Sequence, residues 1–185
     1  VGLPEIDEPK IMEEAITGIQ AIIDLPLQID TSDGEAMERA LRCYNGKPML
    51  NSVNGKKESM EMVFPLAKKY GAVVVCLCLD EGGIPETVEG RIAVARKIVE
   101  TARSYGIPKK NLVMDALVLT ISTGQDNAMI TLETLRRLRY ELGLHTVLGV
   151  SNISFGLPEI VRINTAFFTM AMQNGLSAGI VNPSS

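Results

Sequence analysis

The run "AVVVCLCLD" (residues 72–80) places eight apolar side chains in a row before Asp80. A strand with one wet face alternates apolar and polar residues. An unbroken apolar strand has both faces covered, as in a parallel sheet flanked by helices. Helical stripes lie on both sides of this run and recur along the chain. In "EPKIMEEAITGIQAIID", Ile11, Ala15, Ile16, Ile19 and Ile23 fall on one helical face, and Pro9 sits in the first turn, where helix starts accept proline. The short apolar stretch "LPLQID" follows. Next come a helix over "GEAMERALRCY", a strand "KPMLNS", and a helix over "KESMEMVFPLAKKYG" that Gly71 ends as a C-terminal cap. Beyond residue 80, Ile92, Ala95, Ile98, Val99 and Ala102 mark a further helix, followed by the strand "NLVMDALVL". Leu132, Leu135, Leu138 and Leu142 mark another, followed by "HTVLGVSN", then a helix around "EIVRINTAFFTMAMQNG" and the strand "AGIVNP".

Six helix-then-strand units in succession predict an α/β fold with a parallel sheet. Neither G-x-G-x-x-G nor G-x-x-x-x-G-K-[ST] follows any strand, so a closed (β/α)8 barrel is favoured over an open nucleotide-binding sheet. Such barrels take about 250 residues. With 185 residues and a helix first, the chain is expected to be one partial barrel domain over 1–185, lacking the first two strands and the last helix.

Composition excludes several classes of function. The net charge is −4, and basic residues cluster only as pairs such as Lys56-Lys57, so no nucleic-acid partner is expected. No apolar run is long enough for a membrane span or laid out as a secretory signal, and a cytoplasmic location is expected. Cys43, Cys76 and Cys78 are an odd set with a packing role. His145 is the only histidine, so no metal site is expected.

Each predicted strand finishes near a small polar residue: Asp30, Asn51, Asp80, Asp115, Asn152 and Asn182. Asp and Asn cap helices and form turns, and each taken alone fits that role; for Asp80 and Asn182 it is the reading kept. As a set, however, the carboxyl ends of barrel strands converge on one mouth, where barrel enzymes do their chemistry. None of the 18 Lys and Arg residues lies at a predicted strand end, which argues against Schiff-base chemistry and against a phosphate clamp. Carboxylates and amides suit a neutral heterocycle rich in N–H donors, and a pterin fits that description.

The segments "QIDTSD", "MLNSVNGKKE", "FPLAKKYGAVVVCLCLDEGGIP", "MDALVL", "VLGVSNISFGLPE" and "GLSAGIVNP" resemble those of the pterin-binding methyltransferases that move a methyl group between methyltetrahydrofolate and a corrinoid. That family includes the folate domain of cobalamin-dependent methionine synthase, and its members are (β/α)8 barrels. In the family an Asp-x-Asn motif precedes a segment like "VGLPEIDEP", here residues 1–9. The resemblance implies that Asp30, Asn51, Asp115 and Asn152 bind the pterin, with Asn152 the catalytic amide near N5 of the folate. It makes the loop at Asp80, Gly82 and Gly83 a mouth loop, for which a flexible turn is the equal alternative. It also implies tetrahydrofolate or methyltetrahydrofolate as substrate, a corrinoid (cobalamin) carried by a partner protein or domain, and a homodimer. Two positions depart from the pattern. Ile160 stands where members carry a basic residue, with Arg162 two residues later, and Phe155 replaces a polar residue and is expected to pack beneath its loop.

Transfer from N5 breaks a bond to a tertiary amine, whose anion is a hopeless leaving group, so positive charge must develop at N5. Asn152 is not an acid; the resemblance gives it the role of a hydrogen-bonding partner for the developing N5–H. The direction of transfer is not legible. Two alternatives stand beside this reading. A dihydropteroate synthase shares the barrel and pocket, but Ser151-Asn152 occupies the place where that family has a Ser-Arg pattern for diphosphate. An inactive barrel fragment would serve only for binding or assembly.

Overall fold

The computed structural model describes residues 6–183; the first five residues of the "VGLPEIDEP" segment lie outside them. Six helices alternate with six strands in the order α1 (Glu8–Gln20), β1 (Gln28–Asp30), α2 (Gly34–Cys43), β2 (Met49–Asn54), α3 (Lys57–Tyr70), β3 (Val73–Leu77), α4 (Val88–Ser104), β4 (Leu112–Asp115), α5 (Asn127–Tyr140), β5 (His145–Gly149), α6 (Ile160–Gln173) and β6 (Ala178–Ile180). Short side chains set several helix starts by accepting orphan backbone N–H groups. Asp7 accepts from Lys10 N at 3.2 Å, Asp33 from Ala36 N at 2.8 Å and Thr87 from Gly90 N at 3.1 Å. Gly71 ends α3 in the left-handed conformation at φ 68°, as its place in the sequence predicts.

All strand pairs are parallel, and the sheet order is β1-β2-β3-β4-β5-β6. Right-handed crossovers that always step the same way keep the helices on one face and curl the sheet toward a barrel, whereas a doubly wound sheet reverses direction at a switch point. The fold is therefore a six-stranded parallel α/β part-barrel. No β6 to β1 pairing closes it among the described residues.

The two faces of the sheet carry different residues. Ile29, Leu50, Val74, Cys76, Leu112, Met114 and Leu148 point toward the helices and join one large apolar cluster running from α1 to α6. Val75, Val113 and Val147 point the other way and form a second, smaller cluster with Met49, Val73 and Leu77. Asp30, Asn51 and Asp115 share that second face, because Asp30 pairs with Asn51, Asn51 with Val75 and Val75 with Val113, with Asp115 two residues further on. A bulge follows in β2. Asn51 pairs with Val75 but Val53 with the very next residue, Cys76, so Ser52 is supernumerary and Val53 turns to the helix side. The Asn51–Ser52 peptide is cis.

Several predicted boundaries move. The α1 stripe shortens, because the helix stops at Gln20: Met12 and Ile16 are buried, Ile19 in the last turn is exposed, and Ile23 lies beyond the end. "NLVMDALVL" leaves the sheet at Asp115, since Leu117 takes φ 63° and no strand passes through that conformation. β5 ends at Gly149, and Asn152 sits in a short 3₁₀ helix, Val150–Ser154. Only β1 and β4 terminate on the polar residue predicted for them; Asp80, Asn152 and Asn182 follow their strands by two or three positions, and Asn51 lies within β2.

The fully buried Phe64 on α3 fills the space under Tyr105, their rings 5.7 Å apart. Phe64→Ala is expected to lower stability by about 3–5 kcal/mol, read as a shift in the urea unfolding midpoint with unchanged slope.

Candidate functional site

At the carboxyl ends of β1 and β2, turn and capping duties fall to neighbours of Asp30 and Asn51. Asp33, not Asp30, caps α2. Asn54, not Asn51, accepts from Lys56 N at 2.9 Å to turn the chain out of β2. Asp30 and Asn51 instead meet each other: Asn51 Nδ2 donates to Asp30 Oδ2 at 3.2 Å across the first strand pair. Asp30 is exposed and Asn51 half-buried, so a carboxylate and an amide carbonyl face the open side of the sheet above the valine cluster.

Asp115 is 8% exposed. Its Oδ1 accepts from Leu117 N at 2.8 Å, which bends the chain out of β4. Burial pushes its carboxyl up to about 6 from an ordinary 3.8; the Leu117 N–H and the positive charge of Arg91 pull the other way without cancelling it. Each carboxylate oxygen has two lone pairs, so Oδ2 and the second lone pair of Oδ1 remain for a ligand.

Arg91 was not legible as part of this region. It lies on α4 in register with Ala95, Ile98 and Ala102, wholly buried on the apolar stripe. Its Nη1 donates to Ala116 O and Leu117 O, each at 2.8 Å, and its Nε to Pro85 O at 3.0 Å. Nη2 is buried and makes no hydrogen bond among the described residues. The guanidinium thus holds the backbone of the turn that Asp115 begins. A cation at helical spacing inside an apolar stripe was the available sign, since a charge is buried there only with partners.

The Asp80 loop is a tight turn. Asp80 N donates to Gly83 O at 3.1 Å, Gly83 N to Asp80 O at 2.9 Å, and Gly82 N to Asp80 Oδ1 at 2.9 Å, with Gly83 at φ 90°. Glu81 ties it down by accepting from Lys57 N at 3.1 Å and Lys97 Nζ at 3.0 Å. The turn reading holds for Asp80; contact of Gly82 and Gly83 with a ligand stays a proposal.

Asn152 is exposed beyond the end of β5, its Nδ2 3.2 Å from where a Cβ on Gly149 would stand. Among the described residues no hydrogen bond joins it to Asp30, Asn51 or Asp115, so the structure brings three of the four pterin candidates onto one face and sets the fourth beyond the end of a neighbouring strand. Phe155 is 77% exposed and does not pack beneath its loop, because Ile153 takes the buried position instead. Cys76 and Cys78 are free and buried on the helix side; burial raises both thiols, Cys78 to about 12, which leaves them unreactive. No cluster of His, Cys, Asp and Glu suited to a metal ion occurs among the described residues, nor any helix long and apolar enough to cross a membrane.

Residues 3–182 match the family described as pterin binding enzyme. A methionine synthase of Mycobacterium leprae (strain TN) is 31% identical over 185 residues, covering 92% of this chain and 15% of that protein. A methylcorrinoid:tetrahydrofolate methyltransferase of Eubacterium limosum is 28% identical over 172 residues, covering 90% of this chain and 63% of that one. The chain therefore spans less than two thirds of the length of either. In fold it is similar to the 7,8-dihydropteroate synthase of Vibrio fischeri ES114, with a TM-score of 0.73 and 20% identity over 96% of this chain and 70% of that one.

A carboxyl with a folded pKa near 6 binds its proton more tightly than the unfolded chain does, so the contribution of Asp115 to stability falls as pH rises from about 4 to 6 and is level above. The fall amounts to about 3 kcal/mol. Asp115→Asn is expected to abolish that decline and to leave the protein more stable than wild type at pH 7, as measured by urea unfolding across the range.

Proposed function

The chain belongs to the pterin binding enzymes, and from that premise we propose that it moves a methyl group between N5 of methyltetrahydrofolate and the cobalt of a corrinoid carried by a partner protein or domain. The observation that carries this reading is the placement of Asp30, Asn51 and Asp115 on the helix-free face of the sheet, with Asp30 and Asn51 already hydrogen-bonded. A pterin presents its 2-amino group and the adjacent ring N–H side by side. The free lone pairs of Asp115 accept this pair, and Asp30 with Asn51 serves the mixed edge of the ring. The valines beneath offer the flat ring an apolar floor. The name of one relative, a methylcorrinoid:tetrahydrofolate methyltransferase, supports methyl transfer between a corrinoid and tetrahydrofolate.

The corrinoid supplies the nucleophile that takes the methyl group, or the carrier that delivers it. This chain's residues hold and polarise the folate. A proton from solvent water is taken up at N5 as the methyl leaves, and Asn152 Oδ1 accepts from that N5–H, stabilising positive charge that an amine leaving group requires. The Ser151-Asn152 pair in place of Ser-Arg disfavours a diphosphate-handling synthase.

Two measurements test this reading. Asn152→Ala is expected to slow single-turnover methyl transfer by about ten to a hundredfold with folate affinity nearly unchanged, whereas Asp115→Ala loses affinity. A normal transfer rate in Asn152→Ala contradicts the role given to it. Because Asp115 accepts two donors only as a carboxylate, calorimetric affinity for methyltetrahydrofolate is expected to rise with pH up to about 6 and then level off. Formation of dihydropteroate in place of methyl transfer would favour the synthase instead.

A further inference from the structure

Two hydroxyls and one amide from the segment between β4 and α5 grip the backbone that carries Asn152. Thr120 Oγ1 lies 3.2 Å from Ile153 O and 2.9 Å from Phe155 O, and Ser122 Oγ lies 3.2 Å from Phe155 O. Ile121 N donates to Ile153 O at 3.1 Å. Thr120 Oγ1 and Ser122 Oγ also lie 3.0 Å from each other. Each hydroxyl has one hydrogen, so at most two hydroxyl hydrogens join the Ile121 amide hydrogen in serving these two carbonyls. Thr120 is itself held. Its Oγ1 accepts from Ser122 N at 3.3 Å, and its carbonyl accepts from Asn127 Nδ2 at 2.8 Å, at the first residue of α5.

The gripped carbonyls belong to the residue directly after Asn152 and to the tip of its turn. Ile153 is buried and anchors one side, while Phe155 at the tip is 77% exposed, so hydrogen bonds rather than packing fix that end. The segment that supplies the grip begins at the turn Asp115 forms and Arg91 holds.

We propose that Thr120, assisted by Ser122, is a positioning residue for Asn152, locking residues 150–156 against the Asp115 turn so that the amide stands at a fixed place relative to the bound ring. The catalytic half of this inference rests on the methyl-transfer reading; the mechanical half rests on the hydrogen bonds alone. Thr120→Val removes the hydroxyl at nearly constant shape, and Thr120→Ser keeps it. Amide hydrogen exchange by mass spectrometry on the full chain is expected to speed up in residues 150–156 of Thr120→Val, leave β1 to β4 unchanged, and return to normal in Thr120→Ser. Single-turnover methyl transfer is expected to fall about tenfold or more in Thr120→Val and recover in Thr120→Ser, while folate affinity stays within about twofold, because misplacing a reacting contact costs rate more than binding. Unaltered exchange in residues 150–156 would overturn the lock. Faster exchange with a normal transfer rate would overturn the positioning role. A wild type that transfers no methyl group would overturn the methyl-transfer reading and the catalytic half with it, leaving the exchange data to decide the lock.

Discussion

Parallel pairing obliges every strand of this sheet to finish at the same edge, so residues far apart in the chain become neighbours there without any loop having to carry them. Asp30 and Asn51 are joined by a hydrogen bond across one strand pair, and Asp115 stands two strands further along the same face. The one-way strand order adds a second constraint. Helices cover one face, which leaves the other to the small valine cluster and to Asp30, Asn51 and Asp115. The bulge at Ser52 fits this division: Asn51 stays on the open face, and Val53 is restored to the buried one.

The electrostatics follow from that geometry. Asp115 is buried where a carboxylate is poorly solvated, and a lone N–H with a nearby guanidinium compensates only in part. As a carboxylate, such a group lowers the stability of the fold. Arg91 ties α4 to the Asp115 turn through two carbonyls, so the strained left-handed Leu117 is held from both sides of the sheet.

The helix stripes and unbroken apolar strands made the architecture legible, because burial on both faces leaves a compositional mark on every strand. Ends were less legible. Alternation and apolarity persist past the last ladder hydrogen bond, so "NLVMDALVL" gave no warning that Leu117 turns left-handed, and "HTVLGVSN" concealed a 3₁₀ turn at Val150–Ser154. Asp30, Asn51 and Asp115 could be singled out by type and place. The division of labour that leaves Asp33 and Asn54 to do the local work is a matter of side-chain direction, which one-dimensional spacing does not carry. The grip of Thr120 and Ser122 was invisible for the same reason: threonine and serine in a loop are unremarkable until the fold sets them against particular carbonyls.

In the proposed complex one pterin ring is held on the open face by Asp30, Asn51 and Asp115, with N5 toward Asn152. A crystal structure of the protein with methyltetrahydrofolate is the decisive experiment, and in it the ring's paired N–H donors are expected on Asp115 and its other polar edge on the Asp30–Asn51 pair. A ring bound elsewhere, or one that leaves Asp115 without contact, would contradict that placement.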